Sequence, residues 1–194
     1  ALTSGASLLL HDKQENIYGM LDKLKHFQVS IWNTVPALMK ILVQELDEDY
    51  VNERLRLVML SGDWIPMELP EMIKMHSESV RMISMGGATE ASIWSNYYEV
   101  ESVKDGWTSI PYGKPLTNQK FYVLDQEMND CPNWVAGRLF IAGEGLARGY
   151  WKDRKRTEER FINHPVTHER LYYTGDLGRY WPDGNIEFLG REDT

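Results

Sequence analysis

The sequence predicts an α/β protein, a parallel α/β layer followed by a smaller, antiparallel, barrel-like β subdomain. Two patterns carry this expectation. Over the first hundred residues, short and almost continuously apolar runs alternate with amphipathic helical stretches. From Trp107 onward the chain changes to short strands separated by turn residues. Its 194 residues suffice for one good core, or for two small subdomains sharing one. The change of texture near residues 105–112 divides it into a parallel subdomain over 1–108 and a β-rich one over 109–194.

The elements follow in order. Ile17, Met20, Leu21, Leu24 and Phe27 recur at helical spacing and predict a helix over 13–27. "FQVSIWN" is rich in β-formers and ends at Asn33. "TVPALMKILVQEL" restarts as a helix, with Thr34 as its cap and Pro36 in its first turn. "LRLVMLS" (55–61) reads as a strand buried on both faces, as in a parallel sheet. "PMELPEMIKMHS" is the next helix and "VRMISM" the next buried strand. Beyond Trp107, "QKFYVLD", "GRLFIAG" and "NIEFLG" predict antiparallel strands, Pro182-Asp183-Gly184 a turn, and 153–162 a helix.

Composition narrows the function classes. An apolar content of 42% and a mean hydropathy of -0.46 suit a soluble globular chain. The net charge of -8 argues against a nucleic-acid surface, which needs clustered Lys and Arg. The one basic run, Lys152 to Arg160, is broken by Asp153, Glu158 and Glu159 and reads as a solvated helix face. A single cysteine excludes an intrachain disulfide framework and most Cys-based metal sites. No run approaches the roughly 20 apolar residues that span a bilayer, and no signal peptide is visible. The expectation is a cytoplasmic protein with neither membrane nor nucleic-acid partner. "ALTSGASLLL" at one end and "GREDT" at the other read as cuts from a longer polypeptide.

The chemistry-bearing stretch is "GGATEASIW", residues 86–94. In parallel α/β sheets ligands bind beyond the C-terminal ends of strands, and "VRMISM" delivers Gly86 and Gly87 to that edge. Glycines allow close backbone approach, Thr89 can donate a hydroxyl to a phosphate oxygen, and Glu90 is a hard oxygen ligand suited to Mg²⁺. By itself the pattern is more often a helix start with a favourable dipole contact. In "YYTGDLGRYWPDGNIEFLGRED" (172–193), Asp176 occupies a tight Thr-Gly-Asp turn and Arg191 follows a strand and a glycine. A carboxylate there matches two neighbouring hydroxyls, as on a ribose. "GRLFIAGEGLARGYW" (137–151) reads as a bent strand with a bulge.

Taken in order, "GGATE", "GRLFIAGEGLARGYW", "YYTGDL" and "GRED" resemble the adenylation domains of nonribosomal peptide synthetases, within the adenylate-forming superfamily. "VSIWNTVPALM" and "LSGDWIP" extend the resemblance over essentially the whole chain, as part of the large N-terminal portion of such an enzyme. The resemblance implies attack of a substrate carboxylate on the α-phosphate of ATP, then transfer of the acyl group to a phosphopantetheine thiol on a carrier domain. By the same resemblance Thr89 binds phosphate, Glu90 holds Mg²⁺, and Asp176, helped by Arg191, takes the ribose hydroxyls. Gly62, Gly86 and Gly87 border the adenine, and Asp193 lies at the hinge to a small C-terminal domain.

The departures are specific. Where family members place an adenine-stacking aromatic before a Gly-Pro-Thr-Glu sequence, this chain has Gly86, with Ala88 for the proline. Arg138 replaces the glutamate of a Gly-Glu-Leu. The Ser/Thr-rich phosphate loop and the C-terminal catalytic lysine are absent from these 194 residues, which are therefore expected not to complete catalysis alone.

Pocket positions of the family correspond to Asn33, Met59, Ser61, Met85, Ile93 and Trp94. Read from the residues alone, Met59, Met85 and Ile93 are simply core. The set resembles that of cysteine-activating domains, which accompany cyclisation domains in thiazoline-containing siderophore synthesis. That implies an amino-acid substrate, and carrier, cyclisation and other synthetase domains as partners. Serine and threonine stay open, because a methyl or heteroatom swap is discriminated only modestly by binding. An acyl- or aryl-acid ligase of the same superfamily and a non-catalytic docking module are the alternatives.

Overall fold

The computed structural model describes residues 2–10 and 16–192. Asp193, the expected hinge residue, lies outside the described residues. The chain forms two five-stranded sheets. The first contains β1 (Ile31–Thr34), β2 (Leu57–Ser61), β3 (Arg81–Gly86), β4 (Asn96–Glu99) and β5 (Lys114–Pro115), in that spatial order. β1, β2 and β3 are parallel, with Asn33 opposite Met59 and Met59 opposite Ile83; β4 and β5 add antiparallel. The expected parallel layer is present, extended by two strands that the apolar pattern did not reveal.

Three helices cover one face of this sheet: α1 (Ile17–Phe27), α2 (Pro36–Gln44) and α3 (Leu69–His76). Asn16 caps α1 by accepting from the Gly19 N–H at 3.2 Å. Pro36 opens α2 as expected, but the cap position is Val35, which makes no side-chain bond, and Thr34 is the last residue of β1. Successive right-handed crossovers put α2 and α3 on the same side, where Val58, Leu60 and Met82 pack against Met39, Leu42, Leu69 and Ile73. β2 is therefore not buried on both faces. Val58 and Leu60 point to the helices, while Leu57, Met59 and Ser61 are half-buried on the opposite face.

The second sheet runs β10 (Ile186–Arg191), β9 (Arg170–Tyr180), β7 (Gly137–Gly143), β6 (Gln119–Leu124), with β8 (Phe161–Asn163) also paired to β9. All its pairs are antiparallel. Leu139, Ile141, Val123 and Ile186 are fully buried on one side and Leu124, Ala142 and Leu171 on the other. α4 (Arg154–Arg160) is capped by Asp153 and buries no residue, as its interrupted basic run implies.

Backbone bonds between Tyr112–Gly113 and Ile186 join the two sheets. Tyr112 N–H donates to the Ile186 carbonyl at 2.8 Å, and Ile186 N–H donates back to Gly113 at 2.9 Å. Beside it the buried Glu187 carboxylate accepts from Arg179 at 2.7 Å, Trp181 at 3.0 Å and Thr108 at 2.9 Å. Burial pushes the Glu187 carboxyl up, but these three partners outweigh it and hold it below the ordinary range. Thr108 ties the end of the first sheet's region to β10 through this carboxylate.

Two stability outcomes follow from the seam. Gly113 has φ +92°, and a Cβ there would overlap the Tyr97 carbonyl oxygen. Gly113→Ala is expected to destabilise by about 3 kcal/mol in urea titrations. Gly184→Ala, with φ +81° but a nearest atom at 3.9 Å, should cost only about 1 kcal/mol. Because the folded-state pKa of Glu187 is depressed, its contribution is complete above the unfolded carboxylate value of about 4.3 and is lost as pH falls through the folded value. Glu187→Gln should lower stability at neutral pH by about 3 kcal/mol and flatten its fall in acid, measured by denaturation across pH.

Candidate active site

A cavity of about 520 Å³ opens where the C-terminal edge of the first sheet meets β9 and β10. Its walls include Ser61, Gly62, Met85, Gly86, Gly87, Thr89, Ile93 and Trp94 from the first sheet, and Asp176 and Arg191 from the second. The motifs separated by some ninety residues in sequence thus line one space. Trp94 Nε1 donates to the Ser61 hydroxyl at 3.3 Å, closing one end. Asn33 and Met59 lie outside the cavity wall, on the sheet face that Ser61 shares. Asn33 and Met59 are directly paired, with Met59 half-buried and Asn33 exposed.

The glycine stretch ends in a single 3-10 turn, Thr89–Ala91, rather than a helix. Ser95 N–H donates to the Gly86 carbonyl at 2.7 Å, and Ile93 N–H to Ala88 at 2.9 Å, so residues 86–95 close on themselves as a compact loop. Thr89 is exposed at its apex, in the cavity. Glu90 points elsewhere and does not line this cavity. Its carboxylate accepts from the Tyr150 hydroxyl at 2.5 Å, and its carbonyl accepts from Ala147 N–H at 2.7 Å. Burial raises the Glu90 carboxyl, but the Tyr150 and Tyr172 hydroxyls and the Arg156 charge prevail and hold it below the usual range. It is an ionised acceptor at neutral pH.

Asp176 is not in a turn. It sits within β9 beside a bulge at Thr174–Gly175, opposite Arg191 of β10. Arg191 Nη1 donates to Asp176 Oδ1 and to the Thr174 carbonyl, both at 3.0 Å. Asp176 N–H donates to the Thr174 hydroxyl at 3.0 Å. A bulge breaks the strand's alternation and re-aims a side chain, which accounts for a carboxylate reaching the cavity from a strand interior. Arg138, the departure in "GRL", has its own account. It pairs with Glu192 at 2.7 Å and lies over the Tyr173 ring at 5.8 Å.

Four aromatic residues escaped the sequence reading. Trp64, Tyr112 and Phe188 line the cavity, and Tyr150 holds Glu90. Their only local signals are a glycine after Tyr112 and a bulged register after Phe188, and neither identifies a site.

Does the site suit ATP with Mg²⁺? Among the described residues no group of three or more His, Cys, Asp or Glu could hold a metal. Mg²⁺ needs only one or two carboxylates when phosphates and water complete its octahedron. Glu90 is an ionised carboxylate of that kind and follows Thr89 in sequence, but its side chain faces Tyr150 and not the cavity that Thr89 lines, so as placed the two do not form a site for the ion.

Residues 1–151 match the AMP-binding enzyme family. Bacitracin synthase 1 of Bacillus licheniformis is 47% identical over the whole chain, which covers 4% of that protein. Pyochelin synthetase PchE of Pseudomonas aeruginosa is 41% identical over 99% of the chain, covering 13% of its own length. Among solved structures, the nonribosomal peptide synthetase FmoA3 in its alpha-methyl-L-serine-AMP bound form has a TM-score of 0.88 and 41% identity, over 93% of this chain and 20% of that one. The chain therefore spans a small part of each of these three proteins. Among the described residues no helix is long and apolar enough to cross a membrane.

The Tyr150–Glu90 contact yields a direct expectation. Tyr150→Phe should destabilise by about 2 kcal/mol, the range for a hydrogen bond to a charged group, and should raise the Glu90 carboxyl pKa. Denaturant titration and carbon-detected NMR titration of Glu90 measure the two effects.

Proposed function

This chain belongs to the AMP-binding enzyme family, and from that premise we propose that it carries the core of an amino-acid adenylation site. In the proposed reaction a carboxylate oxygen attacks the α-phosphorus of ATP. The bond from that phosphorus to the bridging oxygen breaks, and pyrophosphate leaves with the electron pair. A phosphopantetheine thiol on a carrier domain then displaces AMP, giving a thioester. The observation that carries the reading is the shared cavity. Groups suited to a nucleotide, Thr89, Asp176 and Arg191, line the same space as a small pocket of Ser61, Met85, Ile93 and Trp94. Bringing two reactants to one space is itself a large part of catalysis.

Each chain residue has a task in this proposal. Asp176, oriented by Arg191, accepts from the ribose hydroxyls. Thr89 donates to a phosphate oxygen from the loop apex. Glu90 would hold Mg²⁺, which when bound neutralises phosphate charge, once its carboxylate turns from Tyr150 towards the cavity. Gly62, Gly86 and Gly87 let the backbone approach the base. The cavity's amino-acid end offers thioether, aliphatic and indole surface with one hydroxyl. We read this as suited to cysteine, with Asn33 and Met59 extending the same sheet face. The relatives named for bacitracin and pyochelin support peptide-synthetase chemistry in general, and pyochelin points towards siderophore assembly. The reading includes carrier and cyclisation domains as partners, a cytoplasmic setting, and a division of labour between segments 1–108 and 109–194.

Amino-acid-dependent ATP–pyrophosphate exchange by the complete natural protein tests the proposal. Cysteine should give the highest rate in a panel of amino and aryl acids. Asp176→Ala should raise the KM for ATP by about 10- to 100-fold, and Glu90→Ala should lower kcat by about 100-fold or more. Exchange with aryl acids alone would transfer the site to an acid ligase, preference for serine would remove the cysteine assignment, and wild-type rates in both variants would remove the residue roles.

A further inference from the structure

Gly86 stands where the resemblance places a ring on adenine, and the structure fills that place from another part of the chain. Tyr112 comes from the segment leading into β5. Its ring lies so close over Gly86 that a Cβ at position 86 would fall inside it. Gly87 is equally constrained, since a Cβ there would meet the Ile93 carbonyl at 2.5 Å. The Tyr112 hydroxyl accepts from Gly87 N–H at 2.9 Å. Phe121 meets the ring edge-on at 5.9 Å and 84°, and Phe188 leans against it at 5.6 Å and 35°. Phe188 in turn contacts Trp64 at 5.0 Å. The ring is thus fixed at its hydroxyl, its edge and beside a face, yet it still lines the cavity with Thr89, Asp176 and Arg191.

Positions 86 and 112 are sterically reciprocal. A ring at 112 excludes any side chain at 86, and a glycine at 86 leaves a space that the ring at 112 occupies. We infer that Tyr112 is a nucleobase-binding residue, whose ring supplies the aromatic wall for the adenine of ATP in place of one at position 86. This rests on the adenylation reading above. The side of the cavity matters to the choice of ligand. Tyr112 and its neighbour Phe188 adjoin Gly190 and Arg191, the strand that pairs with Asp176, so the ring stands with the proposed ribose groups. Base stacking on a fixed aromatic ring is sequence- and substituent-tolerant, and its loss weakens binding by roughly 10- to 100-fold.

The test is calorimetric titration of ATP into the complete natural protein, together with ATP and cysteine KM values and thermal melting. Tyr112→Leu should weaken ATP by roughly 10- to 100-fold and leave the cysteine KM near wild type. Tyr112→Phe keeps the ring and should recover most of that loss. The exchange Gly86→Tyr with Tyr112→Gly returns a ring to position 86 and should also recover ATP affinity, whereas Gly86→Tyr alone should melt lower. A folded Tyr112→Leu protein with wild-type ATP affinity would overturn the assignment. So would a folded exchange variant that recovers none, which decides the matter should Tyr112→Leu not fold. A wild type that binds no ATP would overturn the adenylation reading and this inference together, a result distinct from either.

Discussion

The seam at Tyr112–Gly113 and Ile186 is the constraint on which the arrangement depends. Three backbone bonds there join a parallel-type sheet to an antiparallel one. With the seam in place, the exit of β3 faces the paired strands β9 and β10, and a cavity forms between them. Glu187 joins this junction through Thr108. A carboxylate with only 3% of its surface exposed must find partners, and Arg179, Trp181 and Thr108 together supply them. Arg179 and Trp181 belong to the same hairpin as Glu187, so the Thr108 bond is the one that depends on how the two sheets meet. Tyr112 belongs to both tasks, since its backbone forms the seam while its hydroxyl anchors Gly87.

Charge in the site is sparse and held. Asp176 and Arg191 face one another across a strand pair, and Glu90 is restrained by two tyrosines. The Asp176–Arg191 pair, fixed in the cavity wall, needs little reorganisation when a charged ligand arrives, the property that makes preorganised dipoles and charges effective in stabilising transferring phosphoryl groups, whereas Glu90 is held outside that wall. The Arg138–Glu192 pair shows the same economy. A side chain that departs from the family pattern at 138 finds a complementary one at 192, two strands away.

Much of the first sheet was legible because its signal is local. Leu57 to Ser61 and Arg81 to Met85 are short apolar runs whose neighbours are amphipathic, and both became parallel strands. The same runs misled about β2, because an apolar residue reads alike whether it faces a helix or lines a pocket; Met59 is the instance. Thr34 was mistaken for a cap since its β1 pairing with Leu60 lies 26 positions away. Asp176 looked like a turn residue because Thr-Gly-Asp is turn chemistry in isolation, while β7 and β10 on either side draw it into a strand.

By itself the sequence determined the alternation of the first three strands with their helices, strands β6, β7 and β10, the glycine, hydroxyl and carboxylate groups at 86–90, and Asp176 with Arg191, because periodicity and short motifs are properties of neighbouring residues. It also posed the question of the ring missing at Gly86. Only the tertiary structure decided which of ten tyrosines stands there, that Glu90 turns away to Tyr150, and that Asn33 sits beyond the cavity wall. Those outcomes depend on which surfaces meet when two sheets dock. That is set by the simultaneous burial of Ile186, the Thr108 bond to Glu187 and steric fit of Tyr112 on Gly86, and no single stretch of chain contains all three.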